Sequence, residues 1–366
     1  MTVDNLINWF PFGAEWPVLT FVTAVVICAI PTFIFIAVYA LVAIYGELKI
    51  SSFMQDKVGP MGQGVGLHAA KWGLLQPVAD ALKLILKEDI IPESADKKLF
   101  IMAPFVVFVG AFISFAALPF GQGTIIADMN IGVFYILAVG SLSVIGIILA
   151  GWSSNNKWSL YGGMRSVAQI ISYEIPAGLS IIAIIMLTGT LSMQGIIEYQ
   201  QGTIWGILPN WIIFNNPFTF IAFFIFFISG VAECNRTPFD IPEAESELVA
   251  GWMTEYSGFR WALFFLSEYA NMLIVSIVAS IVFLGGWLSP LQIFNIFPDS
   301  WLILDGPAIG LLWVLFKAVI LIFIMMWFRW TFPRLRVDQL MYLCWKVFIP
   351  FALANLFFVS LWELIF

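Results

Sequence analysis

The chain has 366 residues, of which 61% are hydrophobic and only 11% charged, with 36 phenylalanines and a formal net charge of −7; its mean hydropathy is +0.97. Soluble cores in a chain of this length cannot hide that much apolar surface, so the composition excludes a soluble globular protein and points to a lipid partner, with no nucleic acid expected. Cys28, Cys234 and Cys344 are far apart and form no CxxC or Cys/His pair, which favours buried structural thiols over a zinc or iron–sulfur site.

Eight apolar stretches come close to the ~20 residues that a ~30 Å hydrocarbon core requires. They lie at about 18–45, 99–120, 131–152, 166–189, 212–232, 260–284, 308–328 and 346–366. The fold class expected is all-α, a single polytopic membrane domain over 1–366 with eight transmembrane helices plus an interfacial helix. The first stretch is too long for a signal-peptide core and lacks a basic flank, so it counts as a mature span. In the following segment, "GPMGQGVGLHAAKWG" contains the sole histidine, His68; with no strand before it and no GK[ST] after it, a flexible loop is expected rather than a phosphate cradle. "GLLQPVADALKLILKE" (73–88) places Gln76, Asp80, Lys83 and Lys87 on one stripe of an otherwise apolar helix, which suits the membrane interface or a docked partner. A re-entrant helix is the alternative. Fifteen of the 16 Lys and Arg residues fall in the segments 46–98, 153–165, 233–260 and 329–346. These four are therefore expected to be cytoplasmic, with both termini on the opposite, periplasmic side. No repeat of 20–50 residues and no matched pair of broken helices suggests an inverted-repeat transporter.

Glu174, Glu268 and Lys317 fall inside spans, where each charge costs roughly 2.5–3.5 kcal/mol. At ~1.5 Å per residue they lie roughly 13, 12 and 17 Å from the cytoplasmic ends, so one shared polar layer is expected. It could be a structural Glu–Lys pairing or a proton pathway; Pro176, which frees a backbone carbonyl beside Glu174, favours the pathway. "NRTPFDIPEAESE" (235–247) is the other concentration of charge: Asp240, Glu243, Glu245 and Glu247, flanked by Glu233 and Glu255, with Arg236 and Arg260 the nearby cations. Pro238 and Pro242 prevent continuous helix there. The apolar Phe239, Ile241, Leu248, Val249 and Trp252 are interleaved with the acids, so a packed segment is expected rather than a solvated acidic loop.

"AECNRTPFDIPEAESELVAGWMTEYSG" (232–258) resembles the signature of the quinone-site membrane subunit of proton-pumping NADH:quinone oxidoreductase, respiratory complex I. "MQDKVGP" (54–60), "GLLQPVADALKL" (73–84), "GWSSNNKWSLYGGMRSVAQIISYE" (151–174), "LSEYANM" (266–272) and "FRWTFPRLRVDQLMYLCWK" (328–346) match the same family in order. The resemblance implies a membrane component that helps form a chamber for ubiquinone or menaquinone and couples quinone reduction to proton translocation. It implies no redox centre in this chain, FMN and iron–sulfur clusters being carried by partner subunits. The hydrophilic quinone-site subunits and the small membrane-arm subunits are the partners implied; the absence of a transit peptide leads to the expectation of a bacterial inner membrane, an organelle-encoded chain being the alternative.

By the same resemblance, Glu174, Glu233, Asp240, Glu243, Glu245 and Glu247 belong to an acidic proton path, to which the residue reading adds Glu255, Glu268 and Lys317; Glu47, Lys57, Asp80, Arg236 and Phe239 belong to the quinone chamber. Two positions depart from the family pattern: Leu48 stands where Arg is usual, and Lys57 where Arg is usual, which removes a bidentate, always-charged fork. The alternatives are a homologous membrane component of a ferredoxin- or hydrogenase-linked complex, a stand-alone ion channel or transporter, and a structural anchor.

Overall fold

In lipid, every backbone N–H and C=O must be satisfied within the protein, and this chain does so with helices. The computed structural model describes residues 17–61, 71–204, 208–242, 245–290 and 307–365. Along the chain run α1 (Pro17–Met54), α2 (Gln76–Leu86), α3 (Lys97–Ser114), α4 (Gly132–Gly140), α5 (Leu142–Ser153), α6 (Lys157–Thr188) and α7 (Met193–Tyr199). A two-stranded antiparallel ribbon follows, β1 (Thr203–Ile204) with β2 (Leu208–Pro209), Thr203 opposite Pro209. Then come α8 (Ile212–Asn215), α9 (Pro217–Glu233), α10 (Glu245–Leu248), α11 (Gly258–Phe283), α12 (Pro307–Thr331), α13 (Val337–Tyr342), a π-helical turn (Leu343–Phe348) and α14 (Ile349–Ile365).

Among the described residues, seven helical segments are long and apolar enough to cross a membrane, α4–α5 and α13–α14 each counting as one segment. Helix α9 is apolar but only 17 residues long, about 25 Å at the usual rise. These eight correspond one to one with the eight apolar stretches, and the all-α membrane fold is as expected. The boundaries differ instructively. Helix α1 continues past the apolar stretch to Met54 and thereby carries Glu47; α6 begins at Lys157, where Asn156 accepts from Trp158 N at 2.9 Å. The fifth stretch is interrupted at Asn216, whose side chain accepts from Thr219 N at 2.7 Å and opens α9 with a capping box. Hydropathy marks where a helix meets lipid, whereas caps decide where it starts.

The four cation-bearing segments converge on one side of the bundle. Arg260 pairs with Asp89 at 3.1 Å, Arg165 with Glu247 at 2.6 Å and Arg334 with Asp240 at 3.2 Å, and Asn155 Nδ2 donates to Ser94 O at 3.1 Å. Helix α2 is amphipathic as expected: Asp80 accepts from Gln76 and faces Lys83 at 3.4 Å, although Lys87 is already the C-cap in extended backbone. Within the bundle, α6 packs on α5, α9 and α14, and small residues allow close approach. A Cβ on Gly146 would lie 2.3 Å from Val107 Cγ2, and one on Gly162 would lie 2.5 Å from Gly251 Cα. Of the seven long spans, α11 is the most enclosed and α1 the least.

Candidate functional site

Several of the candidate side chains gather around the segment 233–240, which leaves α9 and returns over the cation-bearing side. Proline at 238 and 242 keeps it out of regular helix, and Phe239 and Ile241 anchor it, each 4% exposed. Leu248 and Trp252 are buried as well, whereas Val249 is 60% exposed and turns away, a departure from the expected packing. Gln169 of α6 clasps the segment from beneath, its Nε2 donating to Ala232 O at 2.8 Å and to Phe239 O at 2.7 Å.

Glu47 sits at the centre of a buried ion cluster. Its carboxylate faces Arg236 Nη1, 3.3 Å from Oε1 and 3.4 Å from Oε2, with side-chain exposures of 9% and 6%. Arg329 of α12 donates to the same carboxylate, as does the Tyr269 hydroxyl of α11. The Arg236 guanidinium also lies over the Tyr269 ring, 4.7 Å from its centroid. Burial is the largest single influence and works against the Arg236 cation, but Glu47, Tyr269 and Glu268 together hold the guanidinium pKa above its ordinary value. Among the described residues, Arg236 Nε and Nη2 are buried without a hydrogen-bond partner, so this cation keeps donors in reserve. Helices α1, α11 and α12 are thus joined to the 233–240 segment through one carboxylate.

A second group lies at the α9 end of that segment. Glu233 lines an internal cavity of about 50 Å³ with Asn271, Ser114, Gly140 and a set of aliphatic side chains. Glu174 acts electrostatically on Glu233 from α6, and Glu268, beside Tyr269, acts on Arg236. Glu233, Asn271 and Ser114 supply the polar side chains of its otherwise apolar lining.

The remaining expected residues are more dispersed. Asp240 is held by Arg334, Glu247 by Arg165, and Glu255 accepts from Asn156 Nδ2 at 2.5 Å. Lys57 and Asp80 lie on the cation-bearing side, Lys57 exposed and donating to Gln55 at 3.0 Å. Phe239 packs against Tyr173 with ring centroids 5.4 Å apart. Glu243 and His68 lie outside the described residues, as does the side chain of Glu245.

Lys317 corrects the expectation of one polar layer shared with Glu174 and Glu268. Its ammonium donates to Leu284 O, Gly286 O and Leu288 O at 2.6, 2.8 and 2.7 Å and lies over the Trp211 ring. It therefore caps the C-terminal end of α11, about 24 Å along the helix from Glu268. Carbonyls released by a helix end attract a cation more strongly than distant carboxylates do. Tyr269 and Arg329, which bond Glu47, and Arg334, which pairs with Asp240, are partners that the sequence alone does not single out. Tyr269 stands inside "LSEYANM" and both arginines inside "FRWTFPRLR", where they read as topology charges rather than as counter-ions.

Fold and site together define a polytopic helical membrane protein that buries a cluster of ionisable groups where four of its elements meet. A family model described as NADH dehydrogenase matches residues 24–360. The chain is 52% identical to the H subunit of NADH-quinone oxidoreductase from Chlorobaculum parvum and 53% identical to that from Chlorobaculum tepidum, each over 97% of this chain and 94% of the relative. It is 43% identical to the corresponding H subunit from Bacteroides thetaiotaomicron, over 98% of this chain and 94% of the relative. The chain belongs to the NADH dehydrogenase family of membrane subunits. Among the described residues, no group of three or more His, Cys, Asp and Glu side chains is placed to hold a metal ion.

Proposed function

We propose that this protein is the quinone-site membrane subunit of a proton-translocating NADH:quinone oxidoreductase, working with hydrophilic partner subunits in a bacterial inner membrane. In this reading it contributes one wall of the quinone chamber and passes the electrostatic consequence of quinone reduction into the membrane; FMN and iron–sulfur clusters reside in the partners. The observation that carries it is the continuity of the segment 233–240. Within eight residues it presents Glu233 to the internal cavity, Arg236 to Glu47 and Asp240 to Arg334.

Reduction of a quinone places negative charge on its oxygens before protons arrive. A buried guanidinium with donors in reserve stabilises such charge, because electrostatic interactions are stronger where water is excluded. Attraction of Arg236 toward the reduced quinone weakens its hold on Glu47. A change of position or charge at Arg236 then acts through three residues of backbone on Glu233, whose affinity for a proton depends on the charges around it. Glu174 stands next in electrostatic reach and forms the next proton acceptor. Glu243, Glu245, Glu247, Glu255, Glu268 and Lys317 remain candidates for the path, and Glu47, Lys57, Asp80, Arg236 and Phe239 for the chamber.

The test is purification of the native assembly in mild detergent, with its subunits identified and NADH:quinone activity assayed with and without a quinone-site inhibitor. Inhibitor-sensitive activity in a large assembly supports the reading. Hydrogenase-like partners without NADH activity would overturn the electron donor. In the assembled complex, Glu174→Gln or Glu233→Gln is expected to lower proton-coupled turnover about tenfold, equivalent to ~1.4 kcal/mol in the barrier; full pumping in both variants refutes the acid path.

A further inference from the structure

Helix α6 carries Pro176 in its interior, two residues after Glu174. Proline has no N–H to give the carbonyl four positions back, so Ser172 O loses its usual donor within the helix. Ser172 is only 3% exposed, and in a membrane-spanning bundle a buried carbonyl must find its donor within the protein. It finds one on another helix. Cys344 Sγ, fully buried in the π-helical turn Leu343–Phe348, donates to Ser172 O at 2.9 Å.

Further contacts surround that bond. Trp345, the next residue of the π turn, donates from Nε1 to Ser172 Oγ at 3.2 Å, and Ser172 Oγ in turn faces Met341 Sδ at 3.9 Å. In the opposite direction, the Tyr173 hydroxyl donates to Leu340 O at 3.2 Å, just ahead of the same turn. The Tyr173 ring lies against Phe348 and Phe239, with centroids 6.1 and 5.4 Å away. Two departures from regular α-helix, a proline in one span and a π turn in another, therefore meet at Ser172 and Tyr173. Glu174 is the next residue of the helix.

We propose that Cys344 and Trp345 are positioning residues for Glu174: the π turn occupies the carbonyl and hydroxyl of Ser172 at the proline break and so fixes the backbone from which the carboxylate projects. Neither side chain takes up a proton or touches quinone. A thiol is a weak donor that would add little in water, but the same bond gains strength in a low-dielectric interior. With Ser172 O unbonded, the turn around Pro176 relaxes toward another donor and displaces Glu174 relative to Glu233, on which it acts electrostatically. The inference rests on the acid-path reading of Glu174 and adds what holds that residue in place.

The test is made in the intact complex, with protons pumped per NADH oxidised and the quinone KM measured for each variant. Cys344→Ala removes the donor; Cys344→Ser differs from it chiefly by a hydroxyl that can donate in the thiol's place. The expected result is that Cys344→Ala lowers pumping per turnover by about threefold, the worth of one neutral hydrogen bond, at unchanged quinone KM, and that Cys344→Ser restores it. Trp345→Phe removes only the Nε1 donor at an exposed position, and it should lower pumping in the same way even if Cys344→Ala fails to assemble. Pro176→Ala is the sharper control, because an N–H at position 176 can bond Ser172 O within α6. Cys344→Ala added to Pro176→Ala should then change pumping no further, whereas independent effects would add. Normal pumping in Cys344→Ala or Trp345→Phe, a serine variant as impaired as the alanine one, or full additivity with Pro176→Ala overturns the proposal. Glu174→Gln measured in parallel separates the two levels. If it pumps normally the acid path fails and the positioning role with it; if it is impaired while Cys344→Ala pumps normally, only the positioning role fails.

Discussion

At the scale of single residues, the most consequential arrangement is one carboxylate shared by two arginines and a tyrosine. Burying an ion costs several kcal/mol, and the attraction within the cluster offsets this only while each charge keeps its partners. Glu47→Gln leaves Arg236 and Arg329 facing a neutral amide. The expected outcome is a loss of about 3–5 kcal/mol, seen as a lower thermal transition of the purified complex or a smaller assembled fraction. Combining it with Arg236→Met should recover part of that loss, since an unpaired buried cation is the larger fault. Tyr269→Phe keeps the ring under the guanidinium and removes only the hydroxyl donor to Glu47. A smaller cost of about 1–2 kcal/mol is expected, appropriate to a hydrogen bond to a charged group. Equal losses for the two variants would show that Glu47 does not organise the cluster.

At the scale of elements, caps and close approaches decide where helices begin and how near they come. Gly162 of α6 meets the backbone of the 3₁₀ turn Gly251–Met253. A Cβ there would lie 2.5 Å from Gly251 Cα and 2.7 Å from Trp252 N, atoms that cannot swing aside as a side chain can. Gly162→Ala is expected to cost at least about 1–3 kcal/mol and to reduce the yield of assembled complex; Gly178→Ala, with nothing within 4 Å of the added carbon, is the matched control. Lys317 acts at the same scale. Lys317→Met removes the donor from three carbonyls at the end of α11, and faster hydrogen exchange in the last turn of that helix checks the loss. The eight spans were legible as apolar runs, and so was the stripe of α2. The break at Asn216 was present in the sequence as an Asn-Pro pair ahead of a threonine, a capping signal that the uninterrupted hydropathy of its surroundings masks.

At the scale of the whole molecule, the eight apolar stretches of the sequence lead to the expectation of both termini on one side and the four cation-bearing segments on the other. Ion pairs between those segments agree with that division, because Asp89, Asp240 and Glu247 reach arginines on different segments of the same side. A reporter fused after Phe366 is therefore expected to be active only in the periplasm; cytoplasmic activity would reverse the orientation. Assembly belongs to this scale too. Helix α1 is the least enclosed long span and yet carries Glu47 into the cluster, while Ile36 and the Phe33 and Phe35 rings seat its middle.

By itself the sequence determined the membrane class, the apolar spans, the orientation to be expected of them and the stretch of chain where carboxylates concentrate. Each of these is a local property: runs of apolar residues, charges between them, and two prolines that forbid helix. The resemblance of its motifs to a known family added Glu47, Arg236, Glu233 and Glu174 as candidates before any contact between them was visible. Only the tertiary structure decided who partners whom. Glu47 and Arg236 are separated by 189 positions and Glu47 and Arg329 by 282. No periodicity reports such a pairing, because it arises when separate helices pack and a buried charge takes the nearest counter-ion available. The same packing sent Lys317 to a helix end rather than to the carboxylates, since α12 delivers its ammonium to the free carbonyls of α11.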